Sequence, residues 1–437
     1  MPPPPTKPTL APLNGIRGLA AQVVALGHIV RYFIVTISDI ESGKYPPLLF
    51  NVNNLTAVSL FFVISGFTLV VVYDRERDGE DAEMKEPVFK GWKERKEFFV
   101  KRVARLAPIY YLSLLLGVAG FVVYGYAWEY YWIPSTLLAL QSLTYYGNAW
   151  VGPLWSVSAF IPQYILFAFT LHPMRRHPPR TLIIIIISCF VLTALLSILW
   201  SIFLPGFMIF LHFFGIFRLP VFVTGMCFGF LAKKVTVPHP KIFAEIISLL
   251  LLLDLIIGAI LTKVWQYNFL TQFLLYPLQG FWILCLSQYP AGEGVTSKVL
   301  MWDWIRFLGD TSYAYYCLHW PVLQWVCFMV AGDFWGVKAY VFEGLDAAYH
   351  FFHVSAIPLL IIVPLAVATV AHNVLEKPAR KTITEKATKP SAVLEGPTSQ
   401  APADLRNEDL GLTKGTGTVA VDVRERKEAG KRDVEEA

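Results

Sequence analysis

Arg17 and His28 stand eleven residues apart in one apolar stretch, Leu13–Val30. At ~100° per residue on a helix, eleven residues turn the chain three times plus ~20°, so both side chains share a face. The rise between them is roughly 16 Å, about half the thickness of a hydrocarbon core. An imidazole acts as base or nucleophile near neutral pH, and a guanidinium holds phosphate or carboxylate. A second histidine, His319, lies in Tyr313-Ala314-Tyr315-Tyr316-Cys317-Leu318-His319-Trp320-Pro321, thirteen residues after Arg306. Parallel helices would bring His28 and His319 to matched depth, facing one cavity. Each also has a structural reading: His28 bonded to a neighbouring helix, and His319 satisfying carbonyls freed by Pro321.

Three further groups carry charge or small residues into apolar sequence. Arg102 and Arg105 are i, i+3 neighbours beside Lys101, ahead of Leu106-Ala107-Pro108. They suit phosphate at a helix entrance, or serve only to orient the segment. Arg218 and Asp254 are the remaining intramembrane charges and are able to pair with each other. Ser65-Gly66, inside Phe61–Phe67, reads first as a close helix contact. The five cysteines all fall in apolar segments without metal or disulfide spacing, and read as packing residues.

The elements that must position these residues follow from composition. Of 437 residues, 55% are hydrophobic and 16% charged, where a soluble domain carries about a quarter charged residues. Backbone that faces lipid must satisfy its own hydrogen bonds, so the expected class is all-α and polytopic. Ten apolar segments occur, at about 16–38, 56–73, 106–126, 151–171, 181–204, 207–231, 242–264, 268–288, 308–330 and 353–375. Pro205-Gly206 is read as a turn, with Arg218 and Pro220 interrupting the segment that follows it. Lys and Arg crowd alternate loops, above all 74–105, so the positive-inside rule predicts ten spans with both termini cytosolic. No cleavable signal peptide is read at the Pro-rich N-terminus (1–12). Residues 13–380 form the expected membrane domain, and the charged, apolar-poor tail 381–437 is predicted to be disordered.

Taken in order, these motifs resemble the acyltransferase 3 family of integral-membrane O-acyltransferases. Leu13–His28 resembles its first-span motif, Phe61–Phe67 its second, Arg102–Pro108 its basic third-span entrance and Leu154-Trp155-Ser156-Val157-Ser158 its fourth. Arg218-Leu219-Pro220 with Gly225, Leu308–Pro321, and Glu376-Lys377-Pro378-Ala379-Arg380 resemble three later ones. Three departures stand out. Asn14 replaces an Asp, with no obvious carboxylate elsewhere in its place. Ala159-Phe160 stand where a Glu usually follows the Trp-Ser, and Val221 stands where a glutamate is common.

The resemblance implies transfer of an acyl group, usually acetyl, from cytosolic acyl-CoA to a hydroxyl, without a metal and without nucleic acid as partner. On that basis Arg17, Arg102, Arg105 and Arg380 would bind the CoA phosphates, and His28 would act as base or nucleophile with His319 assisting. Ser65, Trp155, Arg218, Tyr313 and Glu376 would line the substrate pocket, Glu376 being able to pair with a rim arginine. The chain's short loops resemble those of fungal-type members of the family, which implies a small lipophilic acceptor such as a terpenoid alcohol of secondary metabolism, with a sugar as the other option. A proton-coupled transporter and a catalytically impaired acyl-CoA-binding protein are the rival readings.

Overall fold

The structure is a computed structural model that describes residues 8–30, 54–74, 89, 91–123, 133–144, 151–203, 212–260, 272–331 and 354–388. These residues are helices and short connections, with no strand among them. The main helices are α1 (Ala11–Ile29), α2 (Asn54–Tyr73), α3 (Trp92–Val123), α4 (Trp155–Arg175), α5 (Pro179–Phe203) and α6 (Leu219–Lys234). After them come α7 (Pro240–Ile260), α8 (Tyr276–Leu286), α9 (Asp303–Asp310), α10 (Ser312–Ala331), α11 (Ile357–Ala371) and α12 (Lys377–Thr388). Each of the ten apolar segments overlaps one of these helices. Among the described residues, six stretches are long and apolar enough to cross a membrane: 55–73, 92–119, 152–175, 179–200, 215–234 and 357–385.

Three boundaries differ from the sequence expectation. The basic stretch before 106 is not all loop, because α3 already begins at Trp92 and carries Lys101, Arg102 and Arg105 on its first turns. A Glu97–Lys101 ion pair at i, i+4 supports that extension. Pro108 sits inside α3 without ending it. In the sixth apolar segment a 3-10 turn over Gly215–Arg218 leads into the α-helix that begins at Leu219, and 207–211 lie outside the described residues. Arg218 is thus the N-cap of α6, and Pro220 occupies the first turn, where its missing N–H costs nothing. At the other end α12 runs to Thr388, past residue 381, while 389–437, the Pro205-Gly206 turn and the N-terminal seven residues lie outside the described residues.

α1 lies inside the bundle, against α2, α9 and α10. Two close approaches fix this packing. A side chain on Gly66 would collide with the backbone of Phe222 and Met226, and one on Gly225 with the backbone of Val63, so α2 and α6 cross nearly in backbone contact. Likewise Gly18 of α1 meets the backbone of Leu308 and Gly309 at the end of α9. The packing reading of Ser65-Gly66 therefore holds for Gly66.

One end of the bundle carries the N-terminus of α1 and most of the described basic side chains. There Asp74, just past α2, pairs with Arg175 of α4 at 3.0 Å and with Lys233 of α6 at 3.3 Å. Lys234 donates to the carbonyls of Arg175 (2.6 Å) and His177 (2.7 Å), closing the same three helix ends together.

Candidate active site

His28 and His319 meet. His28 Nδ1 and His319 Nε2 are 2.8 Å apart, and the two rings are nearly parallel, 10° between planes and 5.1 Å between centroids. Trp320 stands edge-on to His28 at 5.4 Å. The protonation pattern follows from the partners. His319 Nδ1 lies 2.7 Å from the carbonyl of Tyr316 and 3.2 Å from that of Tyr315. Carbonyl oxygens only accept, so this nitrogen carries the hydrogen and Nε2 of a neutral His319 offers a lone pair. His28 Nδ1 must then donate to it, which leaves Nε2 as the basic nitrogen of His28.

Pro321 explains why His319 can serve in this way. Proline removes the N–H that would bond the carbonyl four residues earlier, at Cys317. Ser113 of α3 donates its hydroxyl to that carbonyl at 2.6 Å. The freed carbonyl is therefore satisfied from another helix, not by His319.

A cleft of about 780 Å³, including its open mouth, lies between α1, α2, α3, α4 and α10. Its cationic wall is Arg17 from α1 with Arg102 and Arg105 from α3. The facing surface is aromatic and apolar, with Phe61, Phe62, Phe160, Tyr164 and Val157. Ser65, Thr68, Ser156, Ser312, Tyr313 and Tyr316 add hydroxyls. Arg17 donates to Thr68 at 3.2 Å. Arg102 donates to Tyr73 at 3.2 Å and lies over the rings of Tyr73 and Phe98. Arg102, Arg105 and Arg380 are close enough to repel Arg17. None of the described residues lining the cleft is acidic. Like charges held together without an acid among them fit a polyanionic ligand.

The cleft reaches the histidines through one side chain. The Tyr316 ring is 6.0 Å from His319 and 5.6 Å from Phe61, and Ser156 Oγ lies 2.8 Å from its hydroxyl. The cleft's described lining does not itself include His28 or His319.

The other expected site residues are distributed as follows. Ser65 and Tyr313 line the cleft, the Tyr313 hydroxyl donating to the carbonyl of Leu106 at 2.6 Å. Arg380 is not part of the cleft's described lining but is close enough to repel Arg17. Glu376 does not line the cleft, and its hydrogen-bonded partner is His372, at 2.8 Å within a π-helical turn, not an arginine. Its carboxylate still acts electrostatically on Arg105. Trp155 and Arg218 lie apart from the cleft, stacked together at 5.3 Å. Arg218 is held by His212 and Gln272, not by Asp254.

Asn14 donates to Asp310 at 2.6 Å and to the carbonyl of Arg306 at 3.3 Å. A carboxylate, that of Asp310, therefore lies beside position 14 and accepts from the asparagine that stands there. Asn14 is also roughly 21 Å along the helix from His28, so it cannot orient the imidazole. His319 occupies that role geometrically. Phe160 stacks on Tyr164 at 5.5 Å and packs on Phe62 at 5.0 Å, so an aromatic wall stands where a family acid would. Val221 is fully buried in the first turn of α6. Among residues not anticipated, Tyr316 was within reach, three positions before His319 on the same helix face. Ser113, Thr68 and Tyr164 gave no local signal. No group of three or more His, Cys, Asp or Glu side chains able to hold a metal occurs among the described residues.

Residues 10–372 match the Acyl_transf_3 family model, described as an acyltransferase domain. The chain belongs to the acyltransferase 3 family. Among curated proteins it is similar to "Protein 2 in picA locus" of Rhizobium radiobacter, 31% identical over 110 residues, or 25% of this chain. The match spans 44% of that relative's length. No solved structure matches the chain.

Proposed function

We propose that the protein is a multi-pass membrane O-acyltransferase that moves an acyl group, acetyl in the simplest case, from cytosolic acyl-CoA to a hydroxyl of a small metabolite. Family membership supports the reaction class. The observation that carries the reading is the pairing, on α1, of an arginine in a cationic cleft with a histidine held by a second histidine.

In this reading the basic end of the bundle faces the cytosol and ten spans cross the membrane with both termini inside. Arg17, Arg102 and Arg105 hold the CoA phosphates by charge-assisted hydrogen bonds, with Arg380 adding to the field. The pantetheine arm runs past Phe61 and Tyr316 and brings the thioester to His28. His28 Nε2 takes the acceptor's hydroxyl proton, and the alkoxide oxygen adds to the thioester carbonyl. As the C–O bond forms and the C–S bond breaks, the departing thiolate takes the proton back from the imidazolium. While His28 is cationic, its Nδ1–H donates to His319 Nε2, a charge-assisted bond that stabilises the charged state. In the covalent variant, Nε2 attacks the thioester carbonyl, the C–S bond breaks with CoA leaving as thiolate, and the acyl-imidazole passes the acyl group to the acceptor oxygen, whose proton goes to the thiolate.

The test is turnover of acetyl-CoA by the purified protein, read as release of the CoA thiol. His28→Ala is expected to lose turnover while still binding acetyl-CoA. Near-wild-type turnover by His28→Ala, with loss in Arg17→Ala, would remove His28 as catalyst. A denaturation-stable label from radioactive acetyl-CoA that disappears with His28 assigns the covalent route. Its absence in an active protein assigns the base.

A further inference from the structure

Beyond the cleft, one buried group has a charge and a donor that the fold leaves unanswered. Arg218 has no exposed surface. Its guanidinium lies between the rings of Trp155 at 5.3 Å and Phe273 at 4.7 Å. It donates to the His212 carbonyl through Nε at 3.1 Å and Nη2 at 2.7 Å, and through Nη2 to Gln272 Oε1 at 2.7 Å. No carboxylate pairs with it among the described residues. Nη1 is buried with no hydrogen-bond partner, and so is Nε2 of Gln272, the other half of the amide that Arg218 already engages.

The neighbouring contacts cannot all be satisfied. Nη2 of Arg218, Nδ1 of His212 and Oε1 of Gln272 form a triangle with sides of 2.7, 2.7 and 2.8 Å. Arg218 only donates and Gln272 Oε1 only accepts. If His212 Nδ1 accepts from Arg218, it faces Gln272 Oε1 with a lone pair. If it donates to Gln272, it faces Arg218 with a proton. One side of the triangle is repulsive either way. The position also has the wrong sign for a structural cation. Arg218 is the N-cap of the sixteen-residue α6, where the helix dipole favours an anion. Aromatic faces offset only part of the cost of a buried cation.

We propose that Arg218 and Gln272 form a recognition site for a carboxylate, so that the acceptor is a hydroxy acid whose hydroxyl reaches His28. This rests on the acyl-transfer reading above. A carboxylate supplies two acceptor oxygens for the two unanswered donors, Arg218 Nη1 and Gln272 Nε2, and the counter-charge that the arginine and the helix terminus lack. The site adjoins the reaction centre. Tyr316 and Ser156 line the cleft, Ser156 follows Trp155 in the chain, and Tyr316 lies close enough to Arg218 to interact with it electrostatically. On its other side Tyr316 packs 6.0 Å from His319. Tyr316 thus relates the surroundings of the cation to the cleft and to His319.

The experiment uses the full chain in lipid nanodiscs and measures binding of 12-hydroxydodecanoate, its methyl ester and dodecyl phosphate, with acetyl-CoA binding measured separately. The acid is expected to bind wild type at least tenfold more tightly than the ester. Arg218→Gln should reduce that preference to within twofold, and Arg218→Lys should keep part of it. Acetyl-CoA affinity should be unchanged in both variants. Equal binding of acid and ester to wild type overturns the proposal, even if Arg218→Gln does not fold. So does an acid preference that survives in folded Arg218→Gln, or a preference for the phosphate over the carboxylate. Failure of wild type to bind acetyl-CoA would instead count against the acyl-transfer reading, leaving the carboxylate site to be judged by the acid and ester alone.

Discussion

Replacing His319 by Phe tests the histidine pair with little structural disturbance. The phenyl ring fills similar space in a site that has no exposed surface. The carbonyls of Tyr315 and Tyr316, which His319 Nδ1 contacts, remain in the helical ladder of α10, so no acceptor is orphaned. What disappears is the acceptor for His28 Nδ1. That bond becomes charge-assisted when His28 is protonated, and such bonds contribute about 1.5–3 kcal/mol. If it acts mainly in the transition state, kcat falls by about 10- to 150-fold. KM for acetyl-CoA should stay within about twofold, the range left when uniform binding is untouched, because His319 is not part of the cleft's described lining. His319→Gln, whose amide oxygen can accept from His28, should recover part of the loss. The assay is steady-state release of CoA thiol by protein whose fold is checked by thermal unfolding. A kcat for His319→Phe within twofold of wild type, or a defect confined to KM, would refute the argument that His319 supports His28 during the reaction.

Two further perturbations follow from the geometry. Arg17→Gln and Arg105→Gln each remove a cation from the cleft wall, and should raise KM for acetyl-CoA about tenfold, the worth of one charge-assisted hydrogen bond, with a smaller effect on kcat. Calorimetric titration with acetyl-CoA at two salt concentrations checks this, since the wild-type affinity should weaken with salt while the variants respond less. Gly66→Leu forces a side chain into the backbone of α6 at Phe222 and Met226. It should destabilise the protein by about 1–3 kcal/mol, as overpacking does, and lower its unfolding temperature, whereas Ser65→Ala next to it should not.

Much of this arrangement was legible in order along the chain. The apolar segments each overlap a helix, and among the described residues six stretches are long and apolar enough to cross a membrane, because only hydrogen-bonded backbone can sit in lipid. The helical repeat predicted that Arg17 and His28 share a face, and the structure assigns them to the cleft and to the histidine pair respectively. Boundaries were less legible. The basic stretch before Leu106 reads as a loop by its charge, yet Trp92 to Arg105 is helical because charge patterned at i, i+4 is compatible with an exposed helix face. Arg218 reads as an interruption of a span, yet it caps the helix that follows.

By itself the sequence determined the class of fold, the family-like series of motifs and the residues with catalytic chemistry, since these depend on local composition and on spacing within single helices. The tertiary structure decided which of those residues act on one another. His28 and His319 are 291 positions apart, and no local rule sets their 2.8 Å contact. Their tautomers follow from carbonyls of the Tyr315–Tyr316 turn, and the Cys317 carbonyl freed by Pro321 is answered by Ser113 from a different helix. In the same way Asn14 found Asp310 as its acceptor, and Arg218 passed over Asp254 for His212 and Gln272. Hydrogen bonds and ion pairs act over a few ångströms, so a partner is known only once packing has brought the helices together.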